Sequence, residues 1–79
     1  MQKDFKEIKV GDIFRLDTGN NQFVIIKVID SSSISGFFRV EILLDTILNL
    51  DGRIVTFGED FISKSWYKIT KNEYLMEVL

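Results

Sequence analysis

Cysteine, histidine, proline and alanine are all absent from the 79 residues of this chain. Without cysteine, the fold gains no disulfide and offers no thiolate to zinc, so the core must form from the apolar residues, 46% of the total. Without histidine, the side chain that most readily exchanges protons near neutral pH is missing. We therefore predict a protein that is not an enzyme, has no metal site and needs no cofactor.

Long apolar runs are absent as well. No segment approaches the roughly 18 apolar residues of a membrane span, and the amino terminus lacks the apolar region of a secretion signal. We expect one small domain over residues 1–79, located in the cytoplasm and not attached to a membrane.

Charge of one sign does not accumulate either. The net charge is −2, and acidic and basic residues are interspersed. Proteins that bind nucleic acid gain most of their non-specific affinity from basic patches, so this balance argues against a nucleic-acid partner. Binding of nucleic acid through a face formed by Arg15, Arg39 and Arg53 stays open as an alternative.

Two segments, Phe23–Ile29 and Phe37–Leu44, alternate apolar with polar or charged residues, which predicts half-buried strands. In the second of them, Arg39 and Glu41 mark the face that meets water, because burying both charges would cost several kcal/mol. The side chains expected to face the core are Val24, Ile26 and Val28 of the first strand and Phe38, Val40, Ile42 and Leu44 of the second.

Three further strands complete the predicted sheet. We expect them over Ile8–Leu16 with a tight bend at Gly11, over Arg53–Phe57 and over Ser65–Ile69. Turns are predicted at residues 17–21 and 51–52 and a loop at residues 30–36, whereas residues 45–50 fit no clear pattern. Five short strands without long crossovers predict a mainly β protein, either a small antiparallel barrel or a curled sheet.

The last ten residues favour a short carboxy-terminal helix over a sixth strand. Thr70 and Glu73 have the spacing of a capping box. Tyr74, Leu75, Val78 and Leu79 then recur at helical spacing.

Two segments resemble the corresponding parts of short SH3-like barrels of bacteria and their phages. They are Val10-Gly11-Asp12-Ile13 at the start of the sheet and Trp66-Tyr67-Lys68-Ile69 at its end. The resemblance covers most of the chain and implies a five-stranded SH3-like barrel. It also implies an interaction module or a phage or mobile-element accessory protein that binds and modulates a host protein. It assigns no functional residue.

Acidic residues give no clear site. Most of the aspartates lie at predicted turns, where their side chains bond the local backbone. Glu59 and Asp60 could help to hold Mg²⁺ or Ca²⁺, but the ligand series of an EF-hand is missing. The turn interpretation is therefore preferred.

Apolar side chains predicted to point outward are the strongest functional signal. They are Phe23, Ile25, Ile29, Phe37, Leu43 and Trp66. Contiguous exposed apolar surface marks an interface, so we predict a protein partner or a homodimer, with binding residues Phe37, Trp66, Phe23, Leu43 and Arg39. Two alternatives stay open: the terminal helix, Phe5 and residues 46–50 cover these side chains, or a small ligand binds at a dimer seam.

Overall fold

The computed structural model describes residues 8–32, 37–58 and 65–79. The five strands are β1 (Ile13–Gly19), β2 (Gln22–Ser32), β3 (Phe37–Asp45), β4 (Ile54–Gly58) and β5 (Tyr67–Ile69), and the helix is α1 (Lys71–Val78). They form one antiparallel sheet in the order β4-β3-β2-β1-β5. The predicted mainly β fold, with five antiparallel strands and a short carboxy-terminal helix, is confirmed.

The sheet is open, so the predicted closed barrel is not confirmed. Strands β4 and β5 form its two edges, and in the described part of the chain no backbone ladder joins them. Aromatic side chains approach each other instead: the ring centroids of Phe57 on β4 and Trp66, just before β5, lie 5.8 Å apart. The two edges therefore come together over one face of the sheet, which we call the inner face.

The inner face carries the main core. Its buried members are Phe14, Ile26, Val28, Phe38, Val40, Ile42 and Trp66, and Val24, Val55 and Phe57 pack against them half-buried. The inward orientation predicted from the alternation is confirmed for Val24, Ile26 and Val28 of β2 and for Phe38, Val40 and Ile42 of β3. For Trp66 the predicted outward orientation is wrong: only 3% of the residue is exposed, because it packs into this core beside Phe57.

A second, smaller cluster lies on the opposite, outer face. Ile13, Ile25 and Ile69 are buried there, and Tyr74 of α1 packs against them. Ile25 was expected to point outward and be exposed, but it is fully buried because β1, β5 and α1 surround it. Part of the outer face is thus a second core.

Leu44 was predicted to face the inner core but lies on the outer face, because β3 contains a bulge. Ile25 lies opposite Leu44, whereas the next residue of β2, Ile26, lies opposite Ile42, so Leu43 is the extra residue. An extra residue reverses the alternation beyond it. Leu43 and Leu44 therefore both join the outer-face cluster, half-buried.

The amino-terminal part of the first predicted strand is a turn. Asp12 accepts a hydrogen bond from the Lys9 backbone N–H at 2.8 Å, and β1 begins only at Ile13. The bend predicted at Gly11 is confirmed: its φ of 98° lies in the region that glycine adopts without strain.

Helix α1 begins as predicted. The Thr70 side chain accepts a hydrogen bond from the Glu73 N–H at 3.1 Å, and the Glu73 carboxylate accepts one from the Thr70 N–H at 2.7 Å. The capping box is confirmed. Of the apolar residues that recur at helical spacing, Tyr74 is half-buried, while Leu75, Val78 and Leu79 are exposed.

Residues 45–50, which fit no pattern, form the exit from β3. Asp45 is buried and accepts hydrogen bonds from the backbone N–H groups of Ile47 and Leu48 at 2.9 and 3.0 Å. The carboxylate thereby satisfies donors that the strand leaves unpaired. At the end of this segment, Leu50 packs on the inner face. Phe5, loop residues 33–36, Glu59 and Asp60 lie outside the described residues.

The turn between β1 and β2 provides a first testable prediction. Asn20 and Asn21 both have positive φ, 57° and 63°, as a two-residue hairpin turn requires. We expect Asn20→Val to lower the free energy of unfolding by about 1–2 kcal/mol, because a β-branched residue is strained in this conformation. Urea unfolding measures the change, and Thr56→Val is the control, because Thr56 is exposed within β4, where valine is not strained. Equal losses in both variants would contradict the assigned turn.

Candidate binding surfaces

The outer face is covered over only part of its width. Helix α1 and the second core occupy the side formed by β1, β2 and β5. On β3 and β4, Phe37 and Ile54 remain 50% and 53% exposed, and Arg39 and Thr56 are exposed between them. The register places all four on one face, with Arg39 directly opposite Thr56. We call these four residues the open face.

Phe37 is held in place by its cross-strand neighbour. It pairs with Gly58, and a Cβ on that glycine would lie 3.4 Å from the Phe37 ring. The ring therefore lies over the glycine backbone, which leaves its other side to solvent. The exposed side of the ring is available for a contact with a partner, while the glycine backbone supports the other side.

Strand β4 also forms an edge. In the described residues it has a hydrogen-bonded neighbour, β3, on one side only. Its Val55 and Phe57 side chains are fixed in the inner core, while Ile54 and Thr56 point the other way. An edge strand with exposed apolar side chains can accept an added strand from another chain.

A polar network ties α1 to β1 on the outer face. The Arg15 guanidinium donates hydrogen bonds to Asp17 at 2.9 Å and to Glu77 of α1 at 2.7 Å, and it lies 4.2 Å from the centre of the Phe23 ring. The Tyr67 hydroxyl donates to the other oxygen of Asp17 at 2.6 Å. Arg15 is therefore engaged by two carboxylates, and it shields Phe23.

These contacts shift the ionisation of their members. The pKa of Asp17 is lowered, first by the hydrogen bond from the Tyr67 hydroxyl and then by the one from Arg15, because both stabilise the carboxylate. The pKa of Tyr67 is raised, chiefly because ionising its hydroxyl would break the bond to Asp17. The pKa of Arg15 is raised, mainly by its bond to Glu77.

The network should make stability depend on pH. Its Asp17 contribution is present above the ordinary pKa of aspartate and is lost as pH falls below about 4, while the Tyr67 contribution is lost above about pH 10. At pH 7 we expect Asp17→Asn to lower the melting temperature by about 2–4 °C, corresponding to about 0.5 kcal/mol for exposed pairs. Thermal melts from pH 2 to 7 should show this difference shrinking in acid. A constant difference would contradict the assignment.

A pocket of about 270 Å³ opens at the corner between the start of β1, strand β5 and α1. Its apolar walls are Ile13, Leu43, Ile69 and Tyr74, and it is also lined by Lys27, Lys68, Lys71, Gly11 and Asp12. Lys68 pairs with Asp12 at 3.3 Å, and Lys27 and Lys71 are exposed. We call it the lysine pocket.

The structure does not bring the five predicted binding residues together. Phe37 and Arg39 lie on the open face, as their alternation in β3 predicts. Phe23 lies beneath Arg15, Leu43 lines the lysine pocket, and Trp66 is buried on the inner face. Each of these three side chains is covered by the chain itself, wholly or in part.

Two features of the candidate surfaces were not predicted from the sequence: the exposure of Ile54 and the lysine pocket. Ile54 precedes the inward-facing Val55, so the same alternation could have placed it outward beside Phe37. The lysine pocket has no local signal, because about half of the chain separates Lys27 from Lys68 and Lys71. Of the alternative basic face, Arg15 is bound by Asp17 and Glu77, and Arg39 lies on the open face. Binding of nucleic acid stays a prediction.

Comparison of the chain with protein-family models, with curated proteins and with solved structures gives no match. The resemblance to SH3-like barrels therefore stays a prediction. Within the described ranges, no three acidic, cysteine or histidine side chains cluster as metal ligands would. Helix α1, in the same ranges, is too short and too polar to span a bilayer.

Proposed function

We propose that this protein is a non-enzymatic protein-binding module and that the open face is its binding surface. One observation supports the proposal above the others: Phe37 on β3 and Ile54 on the edge strand β4 are half exposed on the same face of the sheet. The partner we propose is an extended segment of another protein that adds a strand to β4. Following the resemblance, we expect this chain to be an accessory protein of a phage or mobile element, and its partner to be a protein of the host.

The geometry of an added strand favours this arrangement. A strand paired with β4 would lie about 4.8 Å from it and would place every second side chain over the outer face. Apolar side chains at those positions would cover Ile54 directly and could reach Phe37 on the next strand. Backbone hydrogen bonds would supply affinity, and the aromatic and apolar contacts would supply specificity.

Binding should depend on Phe37 and Ile54 and not on apolar exposure in general. We expect Phe37→Ala and Ile54→Ala each to weaken binding of a captured partner about tenfold or more, as for central apolar residues of interfaces. The matched control is Leu48→Ala, because Leu48 is 67% exposed but lies outside the open face. Affinity capture from a bacterial lysate identifies the partner, and calorimetry with that partner measures the change.

Several results would overturn the proposal. Equal weakening by Leu48→Ala would mean that the interaction is non-specific. A homodimer in sedimentation that dissociates in Phe37→Ala would assign the open face to a second copy of the chain. Tight binding of oligonucleotides with a steep salt dependence, lost in Arg39→Gln, would assign it to nucleic acid.

A further inference from the structure

We propose that the lysine pocket binds a small organic anion, made of a flat or branched apolar group that carries a carboxylate or a phosphate. The pocket combines two kinds of wall. Ile13, Leu43, Ile69 and Tyr74 provide apolar surface, and the exposed lysines Lys27 and Lys71 line it as well. The ammonium of the third lysine, Lys68, is directed to Asp12 and the Phe14 ring. Binding sites for small molecules have this composition, a mostly apolar lining with a few polar groups that fix orientation.

The positive charge of the pocket lining favours a negatively charged ligand. The lining holds three lysines and one aspartate, a net charge of +2, on a chain whose total is −2. Asp12 is paired with Lys68 at 3.3 Å and therefore offsets one of the three. Lys27 comes from β2 and Lys71 from the first turn of α1, so the two remaining lysines approach from different elements.

Size limits the ligand. A volume of about 270 Å³ lies just below the range of about 300–1,000 Å³ typical of sites for drug-sized molecules. A ligand of about a dozen non-hydrogen atoms is appropriate, and at ordinary ligand efficiency it would bind with a dissociation constant of about 1 mM.

This site is separate from the proposed function. The lysine pocket and the open face share no residue, and they lie at different places on the sheet. Loss of protein binding in Phe37→Ala would leave the pocket intact, and failure of the pocket proposal would leave the protein interaction untouched.

The test is titration of the ¹⁵N-labelled full chain, followed by amide chemical shifts, with four probes. 1-Naphthoate and 1-naphthyl phosphate carry the apolar group with each type of anion, 1-naphthalenemethanol is the neutral analogue, and inorganic phosphate is the anion alone. We expect the two aromatic anions to shift the amides of Gly11, Asp12, Ile69 and Lys71. Whichever binds tighter identifies the head group, and either result supports the site.

Lysine variants show whether charge is responsible. Lys27→Gln and Lys71→Gln should each weaken the binding of 1-naphthoate about threefold, and the double variant about tenfold, as expected for exposed ion pairs. The control is Arg53→Gln, because Arg53 is exposed and does not line the pocket. Dispersed amide spectra verify that each variant is folded.

Three results would overturn the proposal. Binding of 1-naphthalenemethanol as tightly as 1-naphthoate would exclude a role for the lysines. Shifts centred on Phe37 instead of the lysine pocket would exclude the site. Binding that is unchanged in the double variant, or no saturation with either anion at 10 mM, the latter about ten times the expected dissociation constant, would also contradict it.

Discussion

Replacing Phe14 by alanine is expected to lower the free energy of unfolding by about 3–5 kcal/mol, the usual cost of removing a buried aromatic ring. Phe14 has no exposed surface, and it lies in the inner core opposite Ile26 of β2. Lys68 lies on the neighbouring edge strand β5, and its ammonium is 6.0 Å from the centre of the Phe14 ring. A domain of this length is stable by only about 4–12 kcal/mol, so the loss is a large fraction of the total.

The matched control is Phe37→Ala, which removes the same ring from an exposed position. We expect it to cost less than about 1 kcal/mol, because half of Phe37 is already exposed to water. Urea unfolding followed by the fluorescence of Trp66 measures both variants, since Trp66 is buried in the inner core. Equal losses for the two phenylalanines would contradict the assignment of inner and outer faces. A stable Phe37→Ala variant also makes its binding assay interpretable.

The inner face could be predicted from the sequence because it depends on a local rule. Strands have a period of two, and the charged residues in β3 show which half of the alternation meets water. Ile26, Val28, Phe38 and Val40 follow that rule and are buried as expected. The capping box of α1 is equally local, since Thr70 and Glu73 are three residues apart.

The outer face could not be predicted in the same way because its burial depends on distant parts of the chain. Leu44 changes face owing to a bulge, and the alternation itself gives no sign of the extra residue. Trp66 belongs to a segment too short to show an alternation, and its orientation follows from the approach of β4 and β5. Whether an outward apolar side chain is exposed depends on what packs over it.

The two candidate sites differ in the same way: one follows from local sequence patterns, and the other depends on distant parts of the chain. Phe37 and Arg39 of the open face follow from the pattern of one strand, and Ile54 from that of its neighbour. The lysine pocket requires the register of β1 with β5 and the position of α1, which bring Lys68 and Lys71 near Lys27. Such a juxtaposition is a property of the folded chain and has no counterpart in sequence spacing.

Replacing Ile25 by alanine tests the second core. We expect the free energy of unfolding to fall by about 2–5 kcal/mol, because the side chain is fully buried between Ile13, Ile69 and Tyr74. Tyr74 of α1 packs against the cluster that contains Ile25, so the helix should be held less firmly as well. Urea unfolding gives the total loss, and hydrogen exchange of the α1 amides shows whether the helix opens more readily than in the parent chain.

Ile54→Ala is the control, since it removes the same side chain from the same face of the sheet at a position that is 53% exposed. We expect a loss below about 1 kcal/mol and no change in the exchange of α1. A loss below about 1 kcal/mol in both variants would mean that α1 does not cover Ile25 and that the outer face is one continuous exposed surface, whereas a large loss in both would mean that Ile54 is covered as well. The open face, with Phe37 and Ile54 as its apolar contacts, depends on that difference: the helix covers one half of the sheet and leaves the other half to a partner.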